Sequence, residues 1–163
     1  MFGGVICYLN SKVSNGSALR SGLISVTASS VERNDSFNAV DFSSNRRWAS
    51  KNSPNQWFQI DLKAMKIRLN GYSIQTPFDV GNDHLRNWVV EGSNSKASWT
   101  TLDAKKDNSD LRGSNRAHYF PISKESPPFQ IIRLKMTGPN HGGNWYFNID
   151  KIEIFGELIN SSS

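Results

Sequence analysis

Cysteine is nearly missing from this sequence: Cys7 stands alone among 163 residues, so no internal disulfide can form. Secreted domains of this size often carry bridges, because oxidising compartments permit them. Their absence points to a reducing compartment, and the chain is expected to be cytoplasmic. No stretch approaches the roughly 18 consecutive apolar residues that span a bilayer. The short apolar run within residues 1–10 has no basic region before it and no small-residue cleavage site after it, so it does not read as a signal peptide. The recurrent catalytic signatures are missing as well. There is no Gly-x-Ser-x-Gly, no His-Glu-x-x-His, no phosphate-cradling loop and no dinucleotide fingerprint. Catalysis needs a nucleophile–base pair or two placed carboxylates, and no such constellation stands out, so no enzyme is expected. Three histidines and one cysteine make no zinc-ligand spacing. Apolar residues nowhere repeat every 3.6 positions over three turns, which excludes a long amphipathic helix. No linker is long enough to divide the chain into several domains.

What remains is a basic, strand-rich chain. The net charge is +5 and the pI is near 9.5, which favours anionic partners at long range. Nucleic-acid binders gather Lys and Arg on one element. Here they are scattered from Arg46-Arg47 to Arg133 and Lys135, and the densest run, Lys63 to Arg68, alternates as one solvated strand face. No nucleic-acid partner is expected. Three glycosylation sequons begin at Asn15, Asn34 and Asn160, as chance allows in a chain so rich in Asn and Ser.

Short strands punctuated by turns dominate. Leu23–Ala28, Trp57–Leu62, Asn87–Gly92, Ala117–Phe120, Phe129–Met136 and Asn148–Gly156 all read this way. Lys66–Leu69 leads through Asn70-Gly71 into Tyr72–Thr76, either as a hairpin or as one bent strand with a bulge. Residues 4–9 read as one helical turn or an edge strand. Seven or eight strands at regular spacing argue an all-β sandwich or jelly roll.

Taken in order, these segments carry a pattern. Val26-Thr27-Ala28-Ser29-Ser30 precedes Asn38-Ala39-Val40-Asp41 and Trp48-Ala49-Ser50; Gln56 to Leu62, Trp88 to Asn94 and Trp99 to Leu102 follow; Ile131 to Leu134 and Ile152 to Gly156 close it. The chain resembles the discoidin, or coagulation factor V/VIII type C, domain family, close to the galactose-binding-domain-like carbohydrate-binding modules. The resemblance runs from about residue 22 to 157. The segment Phe2 to Leu9 resembles the lead-in of intracellular members that follow a BTB domain in larger proteins, notably in protists. The expected layout is a lead-in over residues 1–20, a jelly-roll β-sandwich over 21–158 and a disordered tail over 159–163, within a larger multidomain chain.

The resemblance implies a ligand site in the loops Val31–Phe37, Asp79–Arg86 and Gly138–Asn144. Arg33, Asn34, His84, Arg86, Asn140 and His141 are the candidates, because planar donors suit vicinal sugar hydroxyls or a peptide carboxylate. Trp145, beside a Gly-rich loop, is a possible stacking platform, whereas Trp48, Trp57, Trp88 and Trp99 fall on positions that look like core or strand. Membrane-binding relatives push bulky apolar residues from these loops. Only Val31, Val80 and Leu85 are available here, so a membrane partner is not expected. Carbohydrate-binding relatives often hold calcium with residues like Asp41 and Glu153. This sequence departs from them: Asp41 is followed by Phe42 rather than Gly, and Arg46 stands where Thr is common. The expectation is that the Arg46 charge makes calcium unnecessary and that no cofactor is required. The partner is then another protein, within a larger intracellular protein, or alternatively a glycan.

Overall fold

A computed structural model describes residues 1–160. Among these residues, ten strands, one short α-helix and a 3-10 helix over Ser36–Val40 build the fold. Helix α1 is Val5–Ser11; the strands are β1 Ser25–Ala28, β2 Trp48–Ala49, β3 Trp57–Asp61, β4 Met65–Gln75, β5 Trp88–Ser93, β6 Thr100–Lys105, β7 Ala117–Pro121, β8 Ile131–Met136, β9 Asn148–Ile149 and β10 Lys151–Asn160. Five strands form one antiparallel sheet in the order β1-β3-β8-β5-β6. A second sheet, β10-β4-β7, provides the other layer, and β2 with β9 makes a two-stranded ribbon. This is the all-β sandwich that the alternating pattern predicts.

Alternation places the core. In β3, Phe58 and Ile60 are fully buried; they meet Ile132 and Leu134 of β8 and Val90 of β5 in one hydrophobic cluster. Ile67, Leu69, Tyr72 and Ile74 of β4 and Ile152 and Ile154 of β10 line it from the other sheet. Trp48 packs on Phe58 and Phe147 at 5.5 and 5.2 Å between ring centroids. Trp88 donates its indole N–H to the Tyr72 hydroxyl at 2.9 Å, and that hydroxyl donates to Asp103 at 2.6 Å. Burial, followed by the neighbouring Asp103 carboxylate, pushes the Tyr72 phenol far above its usual range. A buried indole needs such a partner.

Of the four tryptophans expected at core or strand positions, two are only half-buried. Trp57 is half-buried at the start of β3, and Trp99 lies beneath the Arg133 guanidinium, 3.7 Å from its ring centroid. Both make good strand or sheet-face residues, which is why their local pattern looks the same as that of a core position. The Asn70-Gly71 ambiguity resolves to one bent strand. β4 runs unbroken, and its pairing with β10 slips between Phe155 and Gly156, opposite Asn70. Gly156 has φ +156°, and a Cβ there would collide with the Arg68 carbonyl, so the kink requires glycine.

Residues 4–9 turn out helical from Val5 on, with Gly4 as the N-cap. α1 buries Val5, Ile6 and Leu9 and packs against β10, so the lead-in is part of the domain's core. β10 extends through Ile159 and Asn160, which pair with Lys66 and Met65. The strand therefore passes the expected boundary at residue 158, and the rest of the expected tail, 161–163, lies outside the described residues. Among the described residues, no helix is long and apolar enough to cross a membrane.

Candidate functional site

The loop end of the sandwich carries a polar cleft of about 360 Å³, lined by Glu32 and Arg33, Arg47, Asp79 and Asp83, Tyr146 and Asn148, with Ala49 and Val80. A second hollow of about 450 Å³ adjoins it, lined by Asn34, Arg46, Phe78 and Asp150 among others. The two share Arg33, Arg47 and Asp79, so one ion-pair cluster stands between them.

That cluster is built from the strands beneath it. Arg47 immediately precedes β2, whose Trp48 and Ala49 are buried, and so its guanidinium is anchored at a fixed height. Its side chain is only 11% exposed; Nε donates to Asp79 Oδ1 at 2.6 Å and Nη1 to Asn148 Oδ1 at 3.4 Å. Asn148 opens β9, paired with Ala49, and its amide donates to the Asp83 carbonyl at 2.9 Å. Arg33 bridges to Ala49 through backbone hydrogen bonds and reaches Asp79 Oδ2 at 3.7 Å. The Arg47 hydrogen bond, with the Arg47 and Arg33 charges, holds the Asp79 carboxyl below the usual carboxylate range, against a smaller upward push from burial. Beside this polar wall Phe78 is 68% exposed, the most exposed large apolar side chain on the described surface.

The expected site residues divide sharply. Arg33 lines both hollows, and Asn34, with φ +52°, lines the second. His84 is buried; its Nδ1 accepts the Gly113 N–H at 3.3 Å, and its Nε2 has no partner among the described residues. Arg86 pairs with Asp107 at 3.1 Å and lies outside the cleft. Asn140 is buried and acts as a loop organiser: it donates to Asn144 Oδ1 and the Tyr146 carbonyl and accepts the Gly142 and Asn144 N–H groups. His141 is half-buried and is held by the His84 and Asn108 carbonyls. Trp145 is half-buried against the core, its backbone fixed by Asn52, and it presents no free platform. A loop's polarity does not reveal which side chains turn inward, and Asn140, His84 and His141 turn inward to satisfy loop backbone. Of the residues that sequence reasoning missed, Arg47 and Asn148 flank strands of two residues, too short to register as elements. Phe78 had a signal: an aromatic ring in an otherwise polar loop.

The buried histidines give the loops a pH response. Burial, the largest influence on each, holds His84 and His141 below the ordinary imidazole range, and Arg112 adds to it in both. A histidine depressed in the fold binds its proton more readily unfolded, so its contribution is present above about pH 6.5 and is lost as the pH falls through the folded value. The melting temperature is expected to drop between pH 7.5 and pH 5, and His84→Asn is expected to flatten part of that drop. Thermal denaturation at the two pH values checks it.

The two carboxylates that the resemblance offers as calcium ligands do other work. Asp41 accepts the Ser43 hydroxyl and N–H at 2.6 and 3.1 Å. The Ser43 hydroxyl is the main influence holding Asp41 below the usual range, offset in part by burial. Glu153 is fully buried and turns toward α1, accepting N–H groups from Ile6 at 2.8, Cys7 at 3.0 and Gly4 at 3.1 Å. Among the described residues, no cluster of three or more His, Cys, Asp or Glu is placed to hold a metal.

Comparison with known proteins agrees with this architecture. The F5/8 type C domain family matches residues 25–151, and the chain belongs to that family. It is 29% identical over 114 residues to the E3 ubiquitin-protein ligase Ufd4 of Drosophila melanogaster, a match covering 68% of this chain and 4% of the ligase. It is 27% identical over 105 residues to a BTB/POZ domain-containing protein of Arabidopsis thaliana, covering 61% of this chain and 13% of that protein. The chain thus spans a small fraction of the relatives it matches. Among solved structures it is similar to the Clostridium perfringens module CpGH89CBM32-5, in complex with GalNAc-β-1,3-galactose. That likeness has a TM-score of 0.68 at 14% identity and covers 85% of this chain and 99% of that one. A fucolectin from the serum of striped bass, Morone saxatilis, superposes with a TM-score of 0.66 at 14% identity, over 82% of this chain and 47% of that one. Identities this low establish the shared fold.

Proposed function

We propose that this protein is a non-enzymatic binding module that takes a hydroxyl-rich ligand, a saccharide unit, in the loop-end cleft. The observation that carries this reading is the Arg33–Asp79–Arg47 cluster beside the Asn148 amide. A sugar hydroxyl both donates and accepts. Guanidinium N–H groups offer fixed donors and carboxylates offer acceptors, and the cleft sets the two side by side. Exposed Phe78 supplies a flat apolar face of the kind that stacks on the C–H side of a sugar ring. The cluster holds no nucleophile paired with a base, which suits binding without turnover.

A second reading places a protein ligand on the same surface, inside a larger intracellular protein. It is favoured by the small share that this chain covers of its ligase and BTB relatives, and by the single cysteine. A glycan-array screen of the purified domain separates the two. The saccharide reading expects a saturable hit that is lost in Phe78→Ala. An array without hits, followed by a cross-linked protein partner that Phe78→Ala releases, would replace it with the protein reading.

A further inference from the structure

We propose that the Lys151 ammonium is a built-in cation that holds the Arg46–Arg47 turn under the cleft, in the place of a bound metal ion. Lys151 opens β10, paired with Gln75, and its side chain is 9% exposed. Its Nζ donates to the Arg46 carbonyl at 3.0 Å, the Asp150 carbonyl at 2.9 Å and Asp150 Oδ1 at 3.2 Å. Burying an ammonium is costly unless its three donors are all met, and here three oxygens meet them. Asp41 faces the same charge, since Lys151 is one of the cations drawing its carboxyl downward, after the Ser43 hydroxyl and Arg20.

Two backbone carbonyls, one bound carboxylate and a second carboxylate nearby are the surroundings that a hard cation takes. The lysine occupies their centre. Calcium has no place in the parent protein, because the ammonium already holds the Arg46 carbonyl and both Asp150 oxygens. In this proposal the charge compensation expected of Arg46 comes from a different residue. Arg46 contributes its carbonyl, and Lys151 contributes the charge. The link to the cleft is one peptide long, because the residue after Arg46 is Arg47, whose guanidinium holds Asp79. Lys151 is thus a positioning residue for the cleft. The cation itself stands without the saccharide reading, and only its consequence for binding rests on that reading.

The test is thermal denaturation of the protein and two variants, each in millimolar calcium and in chelator, with no saccharide present. The parent protein is expected to melt at the same temperature in both. Lys151→Ala, which vacates the oxygens, is expected to melt several degrees lower in chelator and to recover part of that loss in calcium. Lys151→Met, which fills the space without charge, is expected to melt lower in both and to show no recovery. A purely structural lysine would give two variants alike in their response to calcium. A parent protein stabilised by calcium, variants that melt like the parent, or a Lys151→Ala that calcium does not rescue would each overturn the proposal. Should Lys151→Ala fail to fold in chelator, refolding in calcium alone would support it, and failure in both would overturn it. Because no sugar enters the experiment, its failure is distinguishable from failure of the binding reading.

Discussion

Replacing Glu153 with alanine is expected to lower the melting temperature by about 6–24 °C and to loosen the N-terminal helix. α1 has seven residues, and an isolated helix of that length is unstable in water. It also lacks local help: its N-cap is Gly4, with no capping side chain, and its first turn holds no acidic residue. The unpaired N–H groups of a helix start must find acceptors, and here they come from 147 residues away in the chain. The Glu153 carboxylate accepts from Gly4, Ile6 and Cys7 and also from the Ile154 N–H at 2.8 Å. Burial pushes its pKa up while these four donors pull it down. Removing it strands at least two buried N–H groups at about 1–3 kcal/mol each and leaves a cavity besides, for a total of about 3–6 kcal/mol. For a chain of this size each kcal/mol moves the midpoint by about 2–4 °C. Glu153→Gln keeps the volume and one acceptor oxygen, and is expected to fall between. Gly4→Ala is expected to destabilise as well, since a Cβ there would collide with the Ile154 carbonyl and stand 2.8 Å from Glu153 Cγ. Calorimetry that finds Glu153→Ala within two or three degrees of the parent, a band set by about 1 kcal/mol, would remove Glu153 as the anchor.

Arg47→Ala is expected to weaken saccharide binding about 100-fold or more, the scale of losing a charge-assisted, desolvated contact. The variant loses a donor in the cleft and also frees Asp79, which then keeps only the longer Arg33 contact at 3.7 Å. Arg47→Lys retains charge without the planar fork and is expected to recover only part of the affinity. Stability is expected to change little, by about 1 kcal/mol, because Asp79 remains a third exposed. Arg86→Ala serves as the control. Arg86 is paired with Asp107 away from the cleft, so its loss is expected to leave affinity unchanged. Isothermal titration with an array-selected saccharide reads all three.

The fold was legible because alternation survives in short strands. Trp57 to Leu62 announces β3, and Asn148 to Gly156 announces the last two strands, since one face of each is forced inward. The lead-in was legible as one helical turn or an edge strand; the Glu153 carboxylate that receives the N–H groups at the start of α1 is reported by no local pattern. The loops that line the cleft were legible, but not which of their side chains face it. Arg33 reaches the cleft, whereas His84 and Asn140 are consumed by loop backbone. Arg47 and Asn148 meet across 101 positions of chain through a ribbon of two residue pairs. Contacts of that kind belong to the tertiary structure.

The most direct test of the account is nuclear magnetic resonance titration of the labelled domain with galactose and with the saccharides selected on the array. Saturable shifts are expected at Arg33, Arg47 Nε–H, Phe78, Asp79, Tyr146 and the Asn148 side-chain amide, with Arg86 and the α1–β10 surface unmoved. Shifts centred on Arg86, or on α1 and β10, with the Arg47 and Asn148 signals unchanged, would contradict it.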